Sequence, residues 1–200
     1  MSDLLLDELP TRWYGREIHS DFRPMVSLAN AYARGIPEKE PLSFADDACQ
    51  RFYRGGISGV QNLQDAYRHL LEFYLGGEEA TPGKGSGSAS HTEGLPFDYH
   101  CDAPYIVAAF QQAYGIDLTR EKVHWWRFKA LLRGLPEDCL FHRILQWRTA
   151  DLSRMTPEDR SVYEEKREIF ALPPEVKGGA AHAVSVAEHD AAFLARFQQR

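Results

Sequence analysis

The segment "KVHWWRFKALLRGLP", Lys122–Pro136, sets the fold class. Read at helical spacing, Trp125, Phe128 and Leu132 share one face, while Val123, Trp126 and Ala130 share the next. Together these faces cover more than half the circumference, the pattern of a helix packed between other elements. At least one tryptophan is therefore expected in the core. The other is left open between core and a groove edge, where a large apolar ring with one N–H donor suits an interface. Gly134 ends this helix, and Asp117 or Thr119 in "IDLT" is expected to lead into it.

The flanking segments repeat the helical grammar. In "HSDFRPMVSLANAYARGIP", Ser20 or Asp21 caps a helix with Pro24 in its first turn, stopped by Gly35 and Pro37. "PLSFADDACQRFYRGG" gives Ser43 as cap, Asp46 at the capping-box position and Gly55-Gly56 as the stop. "NLQDAYRHLLEFYLGG" starts at Asn62 and carries an apolar stripe of Leu63, Ala66, Tyr67, Leu70, Leu71, Tyr74 and Leu75. Asp102 caps "APYIVAAFQQAYG", Pro136 opens "PEDCLFHRILQWR", and Thr156 caps "TPEDRSVYEEKREIFALPP", which Pro173-Pro174 end. Ahead of them, "RWYGREIH" reads as either a small hairpin or an extended arm. The fold expected is mostly α: a compact multi-helix bundle with an N-terminal extended arm or small hairpin.

Residues 1–173 read as one α-helical domain. Within it, "EEATPGKGSGSASHTEG" (78–94) has no periodicity and nothing to offset the entropy of ordering it, so a flexible loop is expected. Its "GKGSG" lacks the spacing and flanks of a phosphate loop. Residues 174–200 read as a linker plus a C-terminal amphipathic helix or disordered tail, with Ser185 and Glu188 as a capping box.

With 23 basic and 29 acidic residues the net charge is −6, against the basic footprint of nucleic-acid binding. Arg120, Lys122, Arg127, Lys129 and Arg133 still form one local basic run. No run approaches the roughly 18 apolar residues of a membrane span, and "MSDLLLDELP" lacks the pattern of a signal peptide. Cys49, Cys101 and Cys139 are scattered and odd in number, which predicts reduced thiols.

Candidate chemistry is sparse. His100-Cys101-Asp102 is the densest polar cluster, and a thiolate–imidazole pair competes there with a plain helix entry. His124 and His142 do not make an i, i+4 ligand pair, and no nucleophile elbow, Walker motif or dinucleotide fingerprint is present. The chain is expected not to be an enzyme and to need no cofactor or metal. Arg23 in "DFR" is either solvated or paired with a distant carboxylate such as Asp98 or Asp102. "EDRSVYEEKRE" reads as a solvated helix face, with one favourable pair (Arg160–Glu164) and one like-charged pair (Glu164–Glu168).

In order along the chain, "DFR", Asp102 ahead of Tyr105 and Phe110, "YGIDL", "HWWRF" and "QWR" resemble the phage gene-product-fifteen family, from about Leu9 to Pro173. The resemblance implies a protein of the tail-morphogenesis region of tailed phages. From that position it further implies a tail assembly chaperone acting in the host bacterial cytoplasm, which binds tape-measure helices and is absent from the finished virion. The major tail protein is a second candidate partner, nucleic acid and membrane are not expected partners, and a homo-oligomer is left open. The alternative is a structural or connector component of the virion tail. Asp21, Arg23, Asp102, Trp125, Trp126 and Arg148 are the expected fold-signature or partner-binding residues.

Overall fold

Two residues at positive φ, Tyr14 (+46°) and Gly15 (+77°), turn the chain between β1 (Arg12–Trp13) and β2 (Arg16–Glu17). Trp13 pairs with Arg16 in antiparallel register, so the connection is a two-residue primed turn whose twist matches that of the strands. This computed structural model describes residues 7–33, 41–57, 62–76, 97–173 and Val176, and within them the open choice between arm and hairpin resolves to a hairpin. Among the described residues seven α-helices follow, so the expected mostly α class holds: α1 Phe22–Ala33, α2 Pro41–Phe52, α3 Leu63–Leu75, α4 Ala103–Tyr114, α5 Trp125–Arg133, α6 Leu140–Thr149 and α7 Pro157–Ile169.

One buried cluster draws on every helix from α1 to α6. The α1 helix packs on α2 and α5, α2 on α3, and α4 on α5 and α6. Phe128 of α5 sits at the crossing, stacked on Phe22 of α1 (4.6 Å between centroids) and on Phe110 of α4 (5.2 Å). The α7 helix contributes no buried residue and lies along the outside against α6. Its side chains grip carbonyls of the preceding turn instead: Arg167 donates to Trp147 O and Ala150 O, and Arg160 to Leu152 O. The expected Arg160–Glu164 pair is thereby replaced by a backbone contact.

Several boundaries move, each for a local reason. The α2 helix starts at Pro41, two residues before Ser43, so Ser43 lies in the first turn and the capping box around Asp46 is not the helix start. Neither Asp117 nor Thr119 leads directly into the tryptophan helix. Asp117 closes its own turn by accepting from the Thr119 N–H and hydroxyl, and His124 caps α5. Residues 136–139 form a turn before α6, with Glu137 and Asp138 in that turn. The α7 helix stops at Ile169, four residues before Pro173. Asn62 and Thr156 do cap α3 and α7 as expected. Phe73, off the predicted α3 stripe, is fully buried, while Tyr74 on that stripe is half-buried. The predicted flexible loop at 78–94, the stop at Gly35–Pro37 and the C-terminal segment with Ser185 and Glu188 lie outside the described residues.

The cap assignments separate two otherwise similar residues. Asn62→Ala is expected to cost about 1 kcal/mol, whereas Ser43→Ala should stay within about 0.5 kcal/mol. Urea unfolding followed by circular dichroism measures both.

Candidate functional site

The expected signature residues gather at two junctions. At the first, α1 and α5 are joined by their N-terminal ends. Phe22 N–H donates to Val123 O (2.9 Å) and Trp125 N–H to Ser20 O (2.8 Å). Asp21 completes the joint by accepting the N–H groups of Arg23 (3.1 Å) and Val123 (3.1 Å). The same carboxylate takes Arg23 Nη1 on both oxygens, at 2.8 and 3.0 Å. Arg23 Nη2 then reaches Leu118 O (2.7 Å) and Glu121 O (3.1 Å), fastening the loop ahead of α5. Arg23 therefore pairs with Asp21, two residues before it, and not with the distant Asp98 or Asp102: Nη1 is taken by that carboxylate and Nη2 by the carbonyls of Leu118 and Glu121.

Both tryptophans are core. Trp125 and Trp126 are 1% and 4% exposed, so the groove-edge alternative for the second is overturned. Their indole N–H groups explain the arrangement. Trp126 Nε1 donates to Phe73 O (2.7 Å), which also accepts the Gly76 N–H (3.1 Å), and Trp125 Nε1 donates to Tyr74 O (2.8 Å), both in the last turn of α3, where carbonyls run out of helical partners. Lys129 Nζ shares Tyr74 O at 2.8 Å, which places a cation at the negative end of α3. Successive residues of one helix thus close the end of another.

His124 aligns this cap. Its Nδ1 accepts the Trp126 N–H (3.2 Å), so its Nε2 carries the proton and donates to Pro10 O at 3.0 Å. The Nδ1 contact needs the neutral ring; burial pushes the pKa down, partly opposed by the Nε2–H bond to Pro10, which the charged ring would keep. His69 faces the Arg68 guanidinium through Nε2 at 3.2 Å and stacks on Tyr14 at 3.5 Å. Its pKa is lowered by burial first and by Arg68 second.

The second junction is a buried ion pair. Arg148 Nη1 and Nη2 bind the two oxygens of Asp102 at 2.8 and 2.9 Å, with side-chain exposures of 8% and 1%. Arg148 Nε donates to Phe170 O (2.7 Å) just beyond α7, and Asp102 also accepts the Asp98 N–H (3.0 Å). Asp102 occupies the N-cap position of α4 but makes no side-chain cap bond; its oxygens bind Arg148 and the Asp98 N–H instead. Asp98 accepts the N–H groups of His100 and Cys101, which shapes the helix entry where a thiolate–imidazole pair had been weighed. The three cysteines are free thiols, and burial pushes the Cys49 pKa up to about 12, with Asp46 adding. Among the described residues no group of three or more His, Cys, Asp or Glu is placed to hold a metal ion.

Arg120, Lys122, Arg127 and Arg133 of the basic run are exposed, while Lys129 is turned onto Tyr74 O. Sequence reasoning missed Tyr14, Glu72, Phe73 and His124. Glu72, 5% exposed, accepts the Tyr14 hydroxyl (2.6 Å) and Arg68 Nη1 (3.0 Å). Glu72 lies off the apolar stripe of α3, so the sequence offered no signal for its burial.

The family description of a bacteriophage Gp15 protein matches residues 17–172, more than three quarters of the chain. The chain belongs to the bacteriophage Gp15 family. Both junctions fall inside the match, and Gp15 membership suggests a phage structural or morphogenesis protein. No curated protein and no solved structure matches the chain. None of the described helices is long and apolar enough to cross a membrane.

Arg148→Met leaves the Asp102 carboxylate buried without its cation and is expected to cost about 3–5 kcal/mol. Adding Asp102→Asn should recover part of that loss, which a denaturant double-mutant cycle reads directly. The histidines set an acid limit. Their folded pKa values lie below the unfolded value of about 6.5, so the unfolded chain binds more protons in between. The stability they contribute is complete above that value and declines as pH falls toward the folded pKa values. His124→Asn keeps a capping acceptor that does not titrate. Its melting temperature should fall less than that of the native chain between about pH 7 and pH 5.

Proposed function

We propose that this Gp15-family chain is a non-enzymatic tail assembly chaperone that binds helices of the tape-measure protein during tail morphogenesis. Family membership is the observation that carries the reading. The use of the polar groups supports it: Asp21, Arg23, Asp102 and Arg148 are engaged with one another or with helix-end backbone. The sequence adds no nucleophile, phosphate or dinucleotide motif. A helical protein of net charge −6 suits helix-in-groove recognition and disfavours nucleic acid. In this reading the chain acts in the host cytoplasm, with the major tail protein as a further partner.

Co-expression with the tape-measure reading frame of the same phage is expected to yield a soluble complex with several copies per tape-measure chain. Size-exclusion chromatography with light scattering measures it. A lone monomer beside insoluble tape measure, together with stoichiometric recovery of the chain from purified virions by mass spectrometry, would overturn the reading in favour of a structural or connector component of the tail.

A further inference from the structure

The α6 and α7 helices carry surface stripes of the same spacing and opposite charge. On α6, the exposed Leu140 and Arg143 and the half-buried Trp147 follow at i, i+3 and i+7, which is one face of a helix. On α7, Val162, Glu165 and Ile169 repeat that spacing, all exposed, and Glu158 extends the stripe one turn back. Leu140, Val162 and Ile169 are 46%, 53% and 59% exposed, so apolar surface left open to water concentrates on these two helices.

The polar groups of the two stripes are not consumed inside the chain. The indoles of Trp13, Trp125 and Trp126 all donate to backbone carbonyls. Among the described residues the Trp147 N–H has no acceptor, and the Arg143 guanidinium has no carboxylate or carbonyl and lies over the Trp147 ring at 5.2 Å. On α7 the opposite charge is left over. Arg160 and Arg167 are turned onto carbonyls, and Lys166 comes only within 3.7 Å of Glu165, whose side chain is 66% exposed. Glu158, Glu165 and Glu168 therefore give the outer side of α7 a net acidic character. The stripes meet at one end, because Trp147 stacks on Phe170 at 5.2 Å and Phe170 directly follows Ile169.

We propose that this α6–α7 face joins two copies of the chain, with Leu140, Arg143 and Trp147 of one protomer set against Val162, Glu165 and Ile169 of the other, and the same contact made in return. Spacing and charge select a second copy as the occupant. Run in parallel, the two stripes set Arg143 opposite Glu165. Run antiparallel, they differ by one residue, about 1.5 Å of helix rise, which an arginine side chain spans. In both directions apolar residues meet at the two ends. Pairing α7 with α7 would instead bring glutamates together, and α6 with α6 would bring arginines together. Two stripes on one face let a two-fold axis make the contact twice and close the assembly at a dimer. Trp147 and Arg143 are the residue types that dominate interface energies, and the free indole N–H is left for an acceptor across the axis. The proposal goes beyond the chaperone reading and does not rest on it.

Sedimentation velocity on the full native chain tests the dimer. A dimer should be populated by about 100 μM, as a micromolar Kd requires. Arg143→Glu and Glu165→Arg should each weaken it at least about tenfold, and the chain carrying both should regain most of the loss. A monomer throughout the range overturns the proposal, as does a dimer that ignores the single changes or that the double change fails to restore. Both residues are exposed, so the variants should keep the native circular dichroism spectrum. The native chain supplies a second readout that needs no variant. On concentrating the sample the Trp147 indole N–H resonance should shift while those of Trp125 and Trp126 stay fixed; a fixed Trp147 resonance beside a dimer places the interface elsewhere and overturns the proposal. A monomer that still forms the tape-measure complex would remove the dimer and leave the chaperone reading standing, and a restored dimer without that complex would do the reverse.

Discussion

The end of α3 has to be closed inside the protein. A helix leaves its last carbonyls without internal partners, and water cannot serve those that face a core. Here the Gly76 N–H serves Glu72 O and Phe73 O, and a neighbouring helix adds the rest: Trp126 Nε1 to Phe73 O, and Trp125 Nε1 with Lys129 Nζ to Tyr74 O. That requirement fixes much else. It sets the start of α5, because adjacent indoles must reach adjacent carbonyls. It gives His124 its place as the cap that turns α5 toward α3. It also explains why tryptophan stands at both positions, since phenylalanine would fill the space and supply no donor.

The aspartate–arginine pair at the other end works differently. Asp102 and Arg148 are nearly inaccessible, and two charges in such a place stabilise little relative to apolar residues of the same shape. Their use is positional. The guanidinium fork fixes α6 against the first turn of α4, and its third nitrogen, on Phe170 O, holds the end of α7, a helix with no buried residue of its own. Phe170 stacks on Trp147 and meets Tyr105 edge-on, so a ring contact and an ion pair specify one geometry together.

Much of the scaffold was legible because it depends on local chemistry. The helices centred on "NLQDAYRHLLEFYL" and "APYIVAAFQQAY" stand where apolar spacing and capping residues put them, and Gly76 and Gly115 end them at positive φ. The failures come from competition by groups remote in sequence. Asp102 looks like a cap, and only Arg148, 46 residues on, reveals that both its oxygens are taken. Phe73 lies off its stripe because the hairpin and α5 cover a second face of α3. His124 carries no cap signal in the sequence, since the Trp126 N–H it accepts is defined only once α5 has its observed start. Apolar spacing placed one tryptophan in the core and left the other open to a groove edge; both are buried, and their indole donors have no sequence signal.

These uses of polar atoms bear on where recognition can reside. A substitution at Trp125 or Trp126 removes a buried ring, at about 3–5 kcal/mol, from a fold whose whole stability is on the order of 5–15 kcal/mol. Lost binding in such a variant would be indistinguishable from lost folding. Residues that identify the Gp15 domain are therefore poor reporters of what it binds. The better reporters make specific contacts without supporting the core. Tyr14, 57% exposed and bonded to Glu72, meets that condition, whereas Trp13 packs against the buried cluster through Phe73 and Trp126 and does not.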